Sequence, residues 1–91
     1  MSTKEQKSPV IEIVSKKDEA HSLILYNDDV NTFDFVIETL IDVCEHDVMQ
    51  AENCAWITHY KGKCEIKKGA IEDLKPRRQE MTNRTLTVEI K

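Results

Sequence analysis

The spacing of apolar residues changes period along this chain, and that change constrains the fold more than any other feature. Residues 21–26 form a short apolar run, and residues 63–68 and 86–90 alternate apolar and polar side chains, which predicts three strands. After the first of these segments, apolar side chains recur at the spacing of a helix, at Phe33, Val36, Ile37, Leu40 and Cys44. The pattern therefore predicts strands and helices within one small domain.

Residue types that favour helix termini predict where the first two helices begin and end. Asn31 is the expected N-cap of the first helix, because its side chain can accept a hydrogen bond from the first turn. Asp47 is the expected N-cap of the second helix, with Gln50 at the third helical position. Gly62 is expected to end that helix in the left-handed conformation that glycine tolerates.

A third helix is predicted to begin near Lys75, because Pro76 suits the first turn of a helix, and to end by Asn83. The element order is then strand, helix, helix, strand, helix, strand. A chain of 91 residues has room for a single domain. We expect an α+β fold over residues 20–91, with a small three-stranded antiparallel sheet and three helices on one face. The polar residues 1–19 are expected to form a mobile arm.

Charge is segregated along the chain. Acidic residues outnumber basic residues 17 to 13, which gives a net charge of −4 and argues against a nucleic-acid partner. Residues 18–60 carry ten carboxylates and no Lys or Arg, so this part presents a negative field that attracts a cationic ligand or a basic partner surface. The carboxylates on the helices are also typical of an ordinary solvated face.

No segment has the features of a membrane or export sequence. No apolar run approaches the roughly 20 residues that span a bilayer, and the first residues lack an apolar signal region. The odd number of cysteines rules out a fully paired disulfide framework and fits a reducing compartment. We therefore expect a cytoplasmic protein without a membrane partner, acting as a monomer.

The cysteines and histidines do not have the spacing of a metal site. Cys44, Cys54 and Cys64 lie ten residues apart, and neither His46 nor His59 forms a close ligand pair with them. The sequence also lacks a phosphate-binding loop, a nucleophile elbow and a dinucleotide motif. We expect no metal, no other cofactor and no enzymatic activity.

One combination of residues suggests a binding site. Asn27, Asp28 and Asp29 follow the first strand, and His59 lies near the end of the second helix. If that helix end packs beside the turn, the group offers several hydrogen-bond acceptors with no cation to balance them, which suits an ammonium group. Each part also has an ordinary structural interpretation, since such a triplet forms turns and a histidine stabilises helix C-termini.

In these segments the sequence resembles the ClpS family, the adaptors of the Clp ATP-dependent protease, from about His21 to Ile90. The resemblance rests on LYNDD at 25–29, FV at 35–36, Ala51 and HYKGK at 59–63. It implies an adaptor that binds the free N-terminal residue of substrate proteins when that residue is Leu, Phe, Tyr or Trp. It also implies delivery to the N-terminal domain of a ClpA- or ClpC-type AAA+ unfoldase.

The resemblance implies a role for individual residues. Asn27, Asp28 and His59 would hold the α-amino group, and Asp29 would flank the turn. The residues implied at the side-chain pocket are Asp29, Asn31, Phe33, Val36, Ala55, Thr58 and Leu86. By position, Glu72 and Arg77 are implied as contacts for the unfoldase, although either also fits an ordinary solvated surface.

The chain departs from the usual pattern of the family in ways that affect the pocket. The family usually has NDD-x-TPM at the turn, whereas this chain has NDDVNTF at 27–33. Phe33 and Ala55 replace two methionines that commonly line the pocket, so we expect a different ranking among hydrophobic N-terminal residues. Two other functions stay open: an interaction module of the same fold with an inactive pocket, and a small hydrolase using Asp28 or Asp29 with His59.

Overall fold

The computed structural model describes residues 21–91, which form three strands and three helices. In chain order these are β1 (His21–Tyr26), α1 (Phe33–Cys44), α2 (Val48–Lys61), β2 (Lys63–Gly69), α3 (Ile71–Asn83) and β3 (Thr87–Ile90). This order confirms the predicted α+β fold. The predicted arm at residues 1–19 lies outside the described residues.

The sheet has the order β2-β1-β3, with β1 antiparallel to both neighbours. Tyr26 at the end of β1 pairs with Lys63 on one side and Thr87 on the other. The register of β1 with β2 shifts between Leu23 and Ile24, as in a β-bulge. Because Tyr26 is paired on both sides, the central strand is held in place where it enters the following turn.

All three helices share one hydrophobic core with the sheet, which confirms the predicted placement of the helices on one face. The core contains Leu23, Leu25, Leu40, Val43, Cys44, Ala51, Cys54, Cys64, Ile66, Leu74, Met81 and Leu86. Leu23 and Leu25 alternate inward along β1 and are almost completely buried. Within residues 21–91, none of the helices has both the length and the apolar character needed to cross a membrane.

The predicted ends of α2 are confirmed. Asp47 is the N-cap, and its carboxylate accepts a 2.7 Å hydrogen bond from the backbone N–H of Gln50. Gly62 is the C-cap with φ of 92°, and its N–H donates to the carbonyl of Thr58 at 2.9 Å. A left-handed glycine thus ends α2 and lets the chain turn directly into β2.

The predicted N-cap of α1 is wrong by one residue. Thr32, not Asn31, caps the helix, because the Thr32 hydroxyl accepts the hydrogen bond from the N–H of Phe35 at 3.1 Å. The side chain of Asn31 instead bonds to Asp28 and Thr85. A competing contact with a distant part of the chain therefore removes Asn31 from the capping position.

The predicted start of the third helix is also wrong. Helix α3 begins at Ile71, four residues before Lys75, and Pro76 is its sixth residue. Burial of Leu74 explains the earlier start, because this fully buried side chain anchors the first turn in the core. The proline costs the helix one backbone hydrogen bond, which that burial offsets.

Replacing Gly62 by alanine is predicted to lower the free energy of unfolding by about 1 kcal/mol, because an L-residue is strained at this positive φ. An added Cβ at Gly62 meets no atom within 4 Å, so the cost is one of backbone conformation. Chemical denaturation measures the effect.

Gly69→Ala is the matched control. Its added Cβ lies at an ordinary 3.5 Å from the Asp73 carboxylate, so we expect a change within about 0.5 kcal/mol. Equal effects of the two substitutions would contradict the assignment of strain to Gly62.

Candidate functional site

A single backbone hydrogen bond joins the turn after β1 to the end of α2. The N–H of Asn27 donates to the carbonyl of Gly62 at 2.9 Å, which extends the pairing of Tyr26 with Lys63 by one step. His59 precedes Gly62 by three residues, slightly less than one helical turn. This connection places His59 beside the turn that carries Asn27 and Asp28.

A cavity of about 420 Å³ lies between this turn, the start of α1 and the second half of α2. It is lined by Asn27, Asp28, Asp29, Asn31, Phe33, Val36, Ala55, Trp56, Thr58, His59 and Tyr60. The structure thus brings together every residue that the sequence predicted for the amine site and the side-chain pocket, except Leu86. Leu86 lines a neighbouring cavity of about 30 Å³, which shares with the larger one Asn27, Asp28, Asn31, Val36 and Thr58.

The Asp28 carboxylate organises the polar end of this cavity. Its Oδ1 accepts hydrogen bonds from the backbone N–H groups of Val30 and Asn31, both at 2.9 Å. Its Oδ2 accepts from the side-chain Nδ2 of Asn31 at 3.0 Å. A carboxylate has about four acceptor positions, so these bonds leave one position free on Oδ2.

The charge of Asp28 is favoured by the same contacts. Partial burial acts to raise the pKa of Asp28, but the hydrogen bonds from Asn31 and Val30 outweigh it and hold the pKa below its ordinary value. The described residues that line the cavity include no Lys or Arg. The polar end therefore carries negative charge that no Lys or Arg of its described lining neutralises.

The other end of the cavity is apolar. Phe33, Val36 and Ala55 line it together with Thr58. The Thr58 hydroxyl donates to the carbonyl of Cys54 within α2 at 2.8 Å, so its hydrogen-bonding capacity as a donor is already used. This end is suited to a hydrophobic side chain.

Sequence reasoning missed two aromatic residues of the site. Trp56 stacks on Tyr60 with parallel rings at a centroid distance of 4.9 Å, and Phe33 packs edge-on against Trp56 at the same distance. Both missed residues are exposed, at 48% for Trp56 and 70% for Tyr60. Their spacing of four residues could have indicated that they share one face of the helix that also carries His59.

Glu72 and Arg77, the two residues implied as contacts for the unfoldase, both lie on α3 but differ in the contacts they make. Glu72 is exposed in the first turn. Arg77 donates from Nη1 to the carbonyl of Val43 at 2.7 Å, and its Nη2 lies 3.3 Å from the Asp73 carboxylate. Arg77 thus stabilises the C-terminal end of α1, whereas Glu72 is exposed to solvent.

The cysteines behave as core residues. Cys44, Cys54 and Cys64 are buried free thiols. Burial raises the pKa of the Cys44 thiol to about 11 and that of Cys64 to about 12, so both stay protonated at neutral pH. In the part of the chain that the structure describes, no group of three or more His, Cys, Asp or Glu side chains is arranged to hold a metal ion.

Comparison with protein-family models gives a match over most of the chain. The family model described as ATP-dependent Clp protease adaptor protein ClpS matches residues 16–89. The match covers most of the chain, and the protein is therefore an adaptor associated with a Clp protease. It belongs to the ClpS family.

Comparison with solved structures shows the same fold. The structure of Agrobacterium tumefaciens ClpS2 bound to L-phenylalaninamide matches with a TM-score of 0.76 and 16% sequence identity. The match covers 81% of this chain and 96% of that chain. No curated protein sequence matches this chain at a significant level.

Replacing Asp28 by alanine is predicted to lower the free energy of unfolding by about 1 kcal/mol at neutral pH, because three hydrogen bonds of the turn are lost. The pKa of Asp28 is lower in the folded chain than in the unfolded chain, where it is about 3.9. Its contribution is therefore present above about pH 4 and is lost as the pH falls through the folded value.

Denaturation of wild type and Asp28→Ala at several pH values tests this dependence. The difference between the two proteins should shrink below about pH 4. A difference that stays constant from neutral pH to pH 2 would show that the charge of Asp28 does not stabilise the turn.

Proposed function

We propose that this adaptor binds the free N-terminal residue of other proteins when that residue is Leu, Phe, Tyr or Trp. It then delivers these proteins to a ClpA- or ClpC-type AAA+ unfoldase for degradation. The observation that carries the proposal is one cavity with negatively charged acceptors at one end and apolar side chains at the other. An N-terminal residue has the same two parts, an ammonium group and a side chain on the same carbon atom.

The acceptors match the needs of an ammonium group. An ammonium carries three N–H donors and no acceptor, so it is best held by three acceptors with a negative charge among them. The free position on Asp28 Oδ2, the side-chain oxygen of Asn27 and a neutral His59 imidazole provide these acceptors. Asp29 is exposed at the same cavity and adds negative charge beside them.

The apolar end accounts for the preference for large hydrophobic side chains. Burying such a side chain against Phe33, Val36 and Ala55 contributes about 1.5–3 kcal/mol. A charged or strongly polar side chain would lose its hydration there without a partner. The related Agrobacterium protein was solved with L-phenylalaninamide, a molecule with a free amine and a benzyl side chain, which supports the same class of ligand for this chain.

Delivery requires a second surface that is free while the cavity is occupied. Glu72 on α3 does not line the cavity and is exposed, so we propose it as part of the contact with the N-terminal domain of the unfoldase. Arg77 is proposed to act in that contact through its exposed edge while it keeps its bond to Val43.

Calorimetry with a Phe-first peptide and its N-acetylated twin tests the binding proposal. We expect wild type to bind the free-amine peptide at least about tenfold more tightly, because acetylation removes both the charge and two donors. Asp28→Asn and His59→Ala should each weaken binding of the free-amine peptide. Glu38→Gln is the matched charge control, since Glu38 is exposed on α1 and does not line the cavity.

Equal affinity for the two peptides would contradict amine recognition. It would favour the alternative of an interaction module with an inactive pocket. Cleavage of either peptide would instead indicate the hydrolase.

Replacing Ala55 by methionine is predicted to weaken binding of Trp-first peptides more than binding of Leu-first peptides. Ala55 is buried at the apolar end of the cavity, so a longer side chain there occupies space that a large aromatic residue needs. Affinities for peptides that differ only in the first residue measure the effect. Ala70→Met, outside the cavity, is the control, and an identical ranking in wild type and Ala55→Met would refute the role of Ala55.

A further inference from the structure

The side-chain amide of Asn31 connects the acceptor turn to the short loop between α3 and β3, which is distant in sequence. Its Nδ2 donates to Asp28 Oδ2 at 3.0 Å and to the backbone carbonyl of Thr85 at 2.9 Å. Its Oδ1 lies 3.2 Å from the Thr85 hydroxyl, whose single proton is shared between this oxygen and the Arg84 carbonyl. Both amide protons are therefore used, and neither remains to contact a ligand.

Thr85 has a backbone conformation that is rarely found for its residue type. It follows α3 with φ of 69°, in the left-handed region where a β-branched side chain is strained. The N–H of Thr85 donates to the carbonyl of Thr82, and the N–H of Leu86 donates to that of Met81. These two bonds define a Schellman motif, whose left-handed position is usually glycine.

The Schellman motif does not explain why this position is a threonine, because glycine is the residue usually found there. Thr85 lines neither of the two cavities at the site, so its side chain does not contact a ligand held there. Its hydroxyl lies within hydrogen-bonding distance of Asn31 Oδ1 and of the Arg84 carbonyl. Its contact with the site therefore passes through Asn31.

We propose that Asn31 and Thr85 are a positioning pair that holds the Asp28 carboxylate in the orientation that receives the ligand amine. The proposal rests on the proposed function, because it assumes that Asp28 receives an ammonium group. Thr85 anchors the Asn31 amide, and the amide fixes Asp28 Oδ2 so that its remaining acceptor position faces the cavity. Rotation of the carboxylate away from this orientation would separate it from the other acceptors.

The substitution Asn31→Thr gives a specific test of the proposal, because the ClpS family commonly has threonine at this position. A threonine hydroxyl has one proton, so it can donate to Asp28 or to the Thr85 carbonyl but not to both. Asn31→Thr should therefore weaken binding in this chain although it restores the common residue. Asn31→Ala should have at least the same effect.

The experiment measures affinity for a Phe-first free-amine peptide together with thermal stability. Asn31→Thr and Asn31→Ala are expected to lose about fivefold in affinity, the effect of one hydrogen bond. Asn83→Ala is the control, since Asn83 is an exposed asparagine at the end of α3 that does not line the cavity. Affinities of these Asn31 variants equal to that of wild type would overturn the proposal.

Thr85→Gly separates positioning from a purely structural role. Glycine adopts the positive φ without strain, so the variant should be at least as stable as wild type, while loss of the hydroxyl should weaken binding about threefold. A variant that binds as tightly as wild type, or that loses affinity only in step with stability, would overturn the role of Thr85.

A double-mutant cycle shows whether Asn31 acts through Asp28. If it does, Asn31→Ala should have little further effect on affinity in an Asp28→Asn background. An effect of the same size in both backgrounds would mean that Asn31 contacts the ligand directly, which overturns the proposal. Failure of the proposed function is a separate result, since wild type would then bind the acetylated peptide as tightly as the free-amine peptide.

Discussion

The hydrogen bond between the N–H of Asn27 and the carbonyl of Gly62 is the constraint on which the site depends. Asn27 ends the central strand, and Gly62 ends α2, so this 2.9 Å contact joins the acceptor turn to the helix that carries His59. Glycine at this position allows the helix to end without strain and aims its carbonyl at the turn. Without this junction, the turn that carries Asp28 would not be joined to the end of the helix that carries His59.

The chemistry of the cavity follows from what its polar end lacks. The described lining contains acceptors and carboxylates but no Lys or Arg, so a cationic donor would complement it. The hydrogen bonds that hold Asp28 also keep it ionised, which links the rigidity of the turn to its charge. Positioning and electrostatics therefore have the same physical origin, and Asn31 contributes to both.

The local features of the fold could be predicted from sequence, whereas the contacts between distant residues could not. The period of the apolar residues predicted the three strands and α1, and Pro76 predicted α3 with a start four residues too late. Asp47 and Gly62 predicted the ends of α2, because caps depend on a few neighbouring residues. The function of Asn31 depends on Thr85, which is 54 residues away, so local reasoning assigned it to the helix cap. Burial of Leu74 likewise overrode the local signal of proline in α3.

Amide chemical-shift mapping by NMR, with L-phenylalaninamide and its N-acetylated form as ligands, shows whether this cavity recognises a free amine. The free amine should shift resonances at residues 27–31 and 55–60, and the acetylated form should leave them nearly unchanged. Shifts of equal size with both ligands, or shifts confined to another surface, would contradict the claim that this cavity recognises an N-terminal ammonium group.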